Sequence, residues 1–156
     1  MHYTNYKIPP HTTIYPPFYI KVDEGEILKS INFWLRNIKS FNVTFNSISY
    51  FEGSNNVAFF APDYESDLLI KKIFTVVVKA LRAKTEDVYN DYKLSVSDFT
   101  PHITITERVP YSELERIKSE LSGVVENLSF SVKFVCLYKQ EINSHLWRLV
   151  EKVKLL

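Results

Sequence analysis

The sequence predicts an α+β domain: two quasi-symmetric lobes of antiparallel sheet, with helices packed on the outside and a central cleft. Three observations predict it. Short runs of alternating apolar residues are separated by turn residues, the pattern of hairpins. Three longer stretches carry apolar residues at helical spacing. The order strand, helix, strand, strand occurs twice, over about 11–61 and about 101–155. Sequential hairpins with segregated helices favour antiparallel sheets covered on one face. At 156 residues the chain is most simply one domain, 1–156.

The elements follow in order. A strand is expected over about 11–20. Asp23 with Glu26 reads as a capping box, and Ile27, Ile31, Trp34 and Ile38 form the apolar stripe of a first helix ending near Lys39 or Ser40. Phe41, Val43 and Phe45 alternate in one phase, Ile48 and Tyr50 in the other, so a bulge or bend is expected near Asn46. Residues 52–56, Glu-Gly-Ser-Asn-Asn, signal a hairpin turn, with a return strand from Val57 to Ala61. Asp63 to Ser66 opens a second helix carrying Leu69, Ile73, Val76, Val77 and Ala80 to about Ala83. Polar residues 84–98, with Tyr89 and Tyr92, read as a loop.

The second half repeats the scheme. A strand over about 101–108 leads to a third helix, with Ser112 and Glu115 as a capping box, Leu114, Ile117 and Leu121 as the apolar stripe, and Gly123 as the stop. Leu128, Phe130, Val132 and Phe134 alternate as a strand extending to Tyr138. Lys139 to Ser144 is a turn, and Leu146 to Leu155 the last strand.

Chemistry enters through a pentapeptide that occurs twice. Residues 10–14 read Pro-His-Thr-Thr-Ile and residues 101–105 read Pro-His-Ile-Thr-Ile, so two of the four histidines share one context. A strand places residues i and i+2 on one face. His11 would then point with Thr13, and His102 with Thr104, while Ile14, Ile103 and Ile105 face the core. Pro10 and Pro101 lack an amide donor and suit a strand's first residue or an edge. Histidine titrates near neutral pH, so one imidazole can take a proton while another gives one. A threonine hydroxyl can donate to a phosphoryl oxygen. Two such pairs could grip one phosphate from both sides, the motif strands meeting at a pseudo-twofold axis. A structural repeat without activity is the bland alternative.

These paired His-x-Thr motifs resemble those of the 2H phosphoesterase superfamily, which includes the 2′-5′ RNA ligases, RNA cyclic phosphodiesterases and enzymes that cleave 2′-5′ oligoadenylates. The run Ile8-Pro-Pro-His-Thr-Thr-Ile-Tyr-Pro-Pro-Phe18 is similar to the first motif of its bacterial branches, and Phe99-Thr-Pro-His-Ile-Thr-Ile105 to the second. Val135, Leu137 and Tyr138, with a strand around Trp147, look like its closing strand pair. The resemblance implies a metal-independent phosphodiesterase using two-histidine acid–base catalysis. It implies cyclic phosphates or 2′-5′-linked oligonucleotides as substrates, with cyclic oligonucleotide messengers a further class. The alternative is a non-catalytic nucleotide- or RNA-binding module on the same fold. Family members usually open with a strand and a helix before the first motif; here ten residues precede His11. The expectation is a missing strand, a very short one from Tyr3 to Ile8, or a lobe completed by a partner chain. A monomer is the expected state, with a homodimer the alternative.

Composition bounds the rest. With 46% hydrophobic and 15% aromatic residues, the chain can bury a sizeable core. A net charge of +1 gives no global field for a long polyanion, which favours a nucleotide or short oligonucleotide over duplex DNA. Cys136 is the only cysteine, so no intrachain disulfide forms; its apolar surroundings suggest a buried filler. No apolar run approaches membrane-spanning length, and the N-terminus lacks a signal-peptide stretch, so a cytoplasmic protein is expected. No cofactor is expected, because there is no glycine-rich phosphate loop and no acidic cluster for paired magnesium ions. A zinc site at His11 and His102 lacks a third ligand at recognisable spacing.

Tyr15, Phe18, Phe59, Tyr64 and Tyr138 could form a stacking platform for a base, or simply fill the core. Tyr15, Phe18 and Tyr138 are taken as candidate substrate contacts, together with Arg108. That arginine lies four residues after Thr104 and shares the face of His102 if the strand runs on. It could pair a phosphate or be a solvated surface arginine. The cations Lys71, Lys72, Lys79, Arg82 and Lys84 read as a solvated helix face. His2 and His145 lack the motif and read as incidental.

Overall fold

A computed structural model describes residues 8–53, 55–88, 95–124, 127–140 and 146–156. The expectations for a short strand from Tyr3, for Tyr89 and Tyr92, for His2 and His145, and for most of the last turn fall outside these residues.

The described chain runs β1 (Phe18–Ile20), α1 (Glu24–Leu35), β2 (Phe41–Phe51), β3 (Asn56–Pro62), α2 (Tyr64–Leu81), β4 (Thr85–Asp87), β5 (Ile103–Val109), α3 (Tyr111–Leu121), β6 (Leu128–Val132), β7 (Phe134–Gln140) and β8 (Trp147–Lys154). It is an α+β fold with antiparallel strand pairs throughout. Four strands form one sheet in the order β5-β3-β2-β6; β1 with β4, and β7 with β8, form two-stranded ribbons. The order strand, helix, strand, strand does recur along the chain. The four-stranded sheet nevertheless draws two strands from each half, β2 and β3 from the first, β5 and β6 from the second.

Local chemistry explains the element ends. The Asp23 carboxylate accepts from the Glu26 amide at 3.0 Å and caps α1; Asp63 accepts from the Ser66 amide at 2.8 Å and caps α2. Helix α1 stops at Leu35, four residues earlier than its apolar pattern suggests. It buries Leu35 together with Ile27 and Ile31, and leaves Phe33 and Trp34 exposed. Helix α3 begins directly after Pro110 with no side-chain cap, so Ser112 lies inside the helix rather than before it. The Pro110 carbonyl accepts from the Glu113 amide at 2.9 Å, so the first turn closes on backbone alone. Gly123 takes a left-handed φ of 85° just past the helix.

The strands show why the periodicity changed phase. Phe45 pairs with Pro62 and Ser47 with Ala61, so Asn46 is an extra, unpaired residue. This bulge keeps Val43 and Phe45 on the same side as Ile48 and Tyr50. The expected long strand from Leu128 to Tyr138 is two strands: β6 pairs with β2, and after Lys133 the chain turns into β7, which pairs with β8. Cys136, expected to be buried, is exposed, because β7 covers the core through Val135 and Leu137 instead. Residues 84–98 contain the short strand β4 within the expected loop.

Two core clusters result. Helices α1 and α2 pack with Val153 and Leu155 in the first, around Ile27, Ile31, Leu35, Ile73, Val77 and Leu81. The second holds Val43, Phe45, Ile70 and Ile103 on the face of the four-stranded sheet that α2 covers. Ile14, in the first motif, packs against both. Asn56 pins the β2–β3 turn: its side-chain oxygen accepts from the Gly53 amide at 3.0 Å, and its side-chain nitrogen donates to the Val109 carbonyl at 2.9 Å. Among the described residues no helix is long and apolar enough to cross a membrane.

Two outcomes follow for stability. Leu35 is fully buried, so Leu35→Ala should lower the unfolding free energy by about 3 kcal/mol in urea titration. A loss below about 1 kcal/mol would mean that α1 is not packed as described. Hydrogen bonding by the Ser66 side chain and backbone holds the Asp63 carboxyl below the usual carboxylate range. A carboxyl held low in the folded state stabilises above its unfolded titration range, and loses that effect as pH falls through the folded value. The stability advantage of wild type over Asp63→Ala should therefore be full at neutral pH and shrink below about pH 4. Equal urea-midpoint differences at pH 7 and pH 3 would contradict it.

Candidate active site

The two motifs sit on different kinds of backbone. Residues 11–17 form no strand; the first motif is extended chain leading into β1. Pro9, Pro10, Pro16 and Pro17 lack amide donors, so ladder pairing starts only at Phe18. The second motif is the start of β5, with His102 one residue before the strand and Thr104 within it. Strand β1 pairs with β4 and β5 with β3, so the two motif segments belong to different ladders. What they share is the core beneath them. Ile103 belongs to the cluster with Val43, Phe45 and Ile70, and Ile14 packs against that cluster.

Despite the different backbones, both imidazoles make the same bond. His11 Nδ1 lies 2.9 Å from the Pro9 carbonyl oxygen, and His102 Nδ1 lies 2.8 Å from the Thr100 carbonyl oxygen. In each case the carbonyl is two residues back, across the motif proline. A carbonyl oxygen only accepts, so Nδ1 carries the hydrogen and donates it. The bond fixes the tautomer, orients the ring, and leaves Nε2 without the hydrogen. The motif proline restricts the residue before it to extended backbone, which helps hold that carbonyl in place.

The surroundings of the two rings differ. His11 is exposed; His102 is half-buried. Phe51 approaches His102 edge-on with ring centroids 5.1 Å apart, and Phe59 lies tilted at 5.2 Å. Phe51 and Phe59 pack on each other at 4.3 Å. Cross-strand register explains the cluster. Ser49, Phe59 and Thr104 are direct neighbours across β2, β3 and β5, and Phe51 and Val57 form the next row. Paired residues share a face, and this is the face that α2 does not cover. Phe59 is buried there because the rings of Phe51 and His102 lie over it. Thr13 and Thr104 are both exposed and available to a ligand.

The candidate substrate contacts fall in three settings. Tyr15 donates to or accepts from the Thr85 hydroxyl at 3.0 Å, and its ring meets Phe18 edge-on at 5.4 Å. Both rings pack against the first core cluster. Tyr138 is half-buried in β7 opposite Leu149, on the β7–β8 ribbon. Arg108 is exposed, with a left-handed φ of 57°. Register shifts occur on both sides of Ala58, placing extra residues in β5 between Thr104 and Thr106 and between Thr106 and Val109. The strand does not run on in simple alternation, so spacing alone does not put Arg108 on the face of His102. Phe51 is the contact that sequence reasoning passed over. The alternation of Ser47, Ser49 and Phe51 against Val57, Phe59 and Ala61 signalled a shared face, but the pairing of β3 with β5 was needed to bring His102 to it. Among the described residues no group of three histidine, cysteine, aspartate or glutamate side chains is placed to hold a metal ion.

Sheet, helices and repeated motif together define a class, and comparison with protein families bears on it directly. A profile of the 2′-5′ RNA ligase superfamily matches residues 2–143, and the chain belongs to that superfamily. Membership supports an activity of the phosphoesterase or ligase type. Comparison with curated proteins gives no match.

The tautomer assignment is open to direct test. In ¹⁵N-resolved NMR above the histidine titration range, His11 and His102 should both show the Nδ1–H form. An Nε2–H signature for either ring would remove the shared carbonyl bond.

Proposed function

We propose that this chain is a metal-independent phosphodiesterase that acts on cyclic phosphates or 2′-5′-linked oligonucleotides through His11 and His102. The observation that carries the reading is the matched pair of Nδ1–carbonyl bonds, which leaves two Nε2 atoms in one tautomeric state. In a 2′-5′ linkage, the neutral histidine takes the proton of the vicinal 3′-hydroxyl, whose oxygen attacks phosphorus. The bond to the 5′-oxygen breaks, and the protonated histidine supplies a proton to that leaving group. The product is a 2′,3′-cyclic phosphate. In a cyclic phosphate, water takes the place of the hydroxyl, and one ring ester oxygen leaves with the donated proton. Thr13 and Thr104 donate to the non-bridging oxygens and stabilise charge as it develops. For both rings to act on one phosphate, each Nε2 must come within about 3 Å of a reacting oxygen. Arg108 is a candidate partner for that phosphate.

The test is a product assay by mass spectrometry in EDTA, with 2′,3′-cyclic mononucleotides, 2′-5′ and 3′-5′ oligoadenylates and cyclic dinucleotides. His11→Ala and His102→Ala should each lower kcat by about 10²–10⁴-fold. Thr13→Val and Thr104→Val should lower kcat by about 10-fold or more with little change in KM. The pH profile should be bell-shaped, with two apparent constants that belong to the pair. Activity lost in chelator and restored by zinc would overturn the mechanism. No turnover across the panel, with binding that survives both alanine changes, would mark a non-catalytic binding module.

A further inference from the structure

The two motif histidines carry the same local bond and differ in what lies against the ring. One hydrogen bond at Nδ1 fixes one atom of an imidazole; the plane of the ring is fixed by its packing. Among the described residues no aromatic ring lies against His11, which is exposed. His102 has two walls. Phe51 meets it at an interplanar angle of 87°, and Phe59 lies tilted at 58°. The walls are unequal. Phe59 is 2% exposed and held by the sheet around it, whereas Phe51, the last residue of β2, is 37% exposed. What holds Phe51 in place must come largely from the turn that follows it.

That turn is tied to the strand that follows His102. The Asn56 side chain accepts from the Gly53 amide inside the turn and donates to the Val109 carbonyl at the far end of β5. Asn56 is 1% exposed, so both bonds are shielded from water, and breaking either would leave a buried polar group unpaired. Glu52, next to Phe51, also pairs with Lys118 of α3 at 2.7 Å. Both partners of that pair are open to solvent, so it contributes little beside the Asn56 bonds. The end of the β2–β3 hairpin and β5 are thus joined into one unit. Phe51 projects from the hairpin and the second motif from the strand, so their rings meet across a fixed gap.

We propose that Phe51 is a positioning residue for His102, a brace at the hairpin tip that sets the plane of the imidazole and so the direction of its Nε2. The inference rests on the two-histidine reading of the site. Phe51 has no polar atom and exchanges no proton, so its part in the reaction runs through His102. An acid–base step needs Nε2 within about 3 Å of a reacting oxygen, and a displacement of about 1 Å costs up to about 10²-fold in rate. Removing the Phe51 ring leaves Phe59 on one side and the Thr100 carbonyl bond to hold the imidazole. His102 then comes closer to the state of His11, whose ring relies on the Pro9 carbonyl alone among these contacts. His11 is therefore an internal control within the same molecule.

The experiment combines ¹⁵N-resolved NMR of the histidine rings, above their titration range, with turnover of whichever phosphodiester the wild type cleaves. In Phe51→Ala the His102 ring nitrogens should move toward the tautomer average while those of His11 stay in place. The kcat should fall by about 10–100-fold with KM nearly unchanged. Phe51→Tyr keeps the ring and should restore both. Phe130→Ala removes a ring that is 46% exposed on the other side of the same sheet, and should change neither. Phe51→Leu keeps apolar cover over Phe59 without a flat ring, so it decides the matter if Phe51→Ala does not fold: the His102 signals should still move. Unmoved His102 signals in a folded Phe51→Ala or Phe51→Leu protein would overturn the brace. So would a rise in KM alone, which would make Phe51 a substrate contact. Failure of the two readings is distinguishable. A wild type inert on every substrate, with His102 signals that move in Phe51→Ala, overturns the catalytic reading and keeps the brace; an active wild type with unmoved signals does the reverse.

Discussion

The four-stranded sheet depends on one unpaired residue. Strand β2 lies between a local partner, β3, and a strand from the distant half, β6. Over eleven residues it must keep a single apolar side toward α2. Strict alternation from Val43 would send Ile48 and Tyr50 to the opposite side and bring Ser47, Ser49 and Phe51 under the helix. The bulge at Asn46 prevents this. Because Ser49 and Phe59 are paired, and Phe59 is paired with Thr104, the same bulge decides which side the second histidine faces. Packing and site geometry are therefore set by one register choice.

Much of this was legible in the sequence because the signals were local. Asp23 and Asp63 cap helices through their own neighbours, Gly123 meets a local need for positive φ, and the phase change at Asn46 is visible in a window of ten residues. What escaped depended on distant partners. Helix α1 looks as if it extends to Lys39, since Trp34 and Ile38 continue its stripe. Leu35 wins the buried position because α2 and the C-terminal residues Val153 and Leu155 lie on that side. Lys133 carries no mark that the chain changes sheets there. It does so because β6 takes up the free side of β2, and β7 has β8 to pair with. Cys136 follows from that switch: once Val135 and Leu137 face the core, it must face out.

The site shows the same division. The pentapeptide named both histidines, and the carbonyl bonds are local enough to recur in both copies. The symmetry ends there. One ring stands on a proline-rich extended segment exposed to solvent, and the other is held against two phenyl rings by a bulged strand. A motif repeated in sequence has been fitted to two unlike supports, and only the tertiary pairing of β3 with β5 reveals the phenyl cluster around His102.

The strand order β5-β3-β2-β6 also bears on how the protein reaches this state. The β2–β3 hairpin closes across a short turn, and α2 follows immediately, so these contacts need little chain entropy to be overcome. The outer strands come from far along the chain, and closing such long loops costs more entropy before any pairing repays it. Strand β5 bears the second histidine, and the Asn56 side chain anchors its far end through the Val109 carbonyl. Placing His102 therefore takes a long-range closure, of β5 onto β3, that the local hairpin does not need.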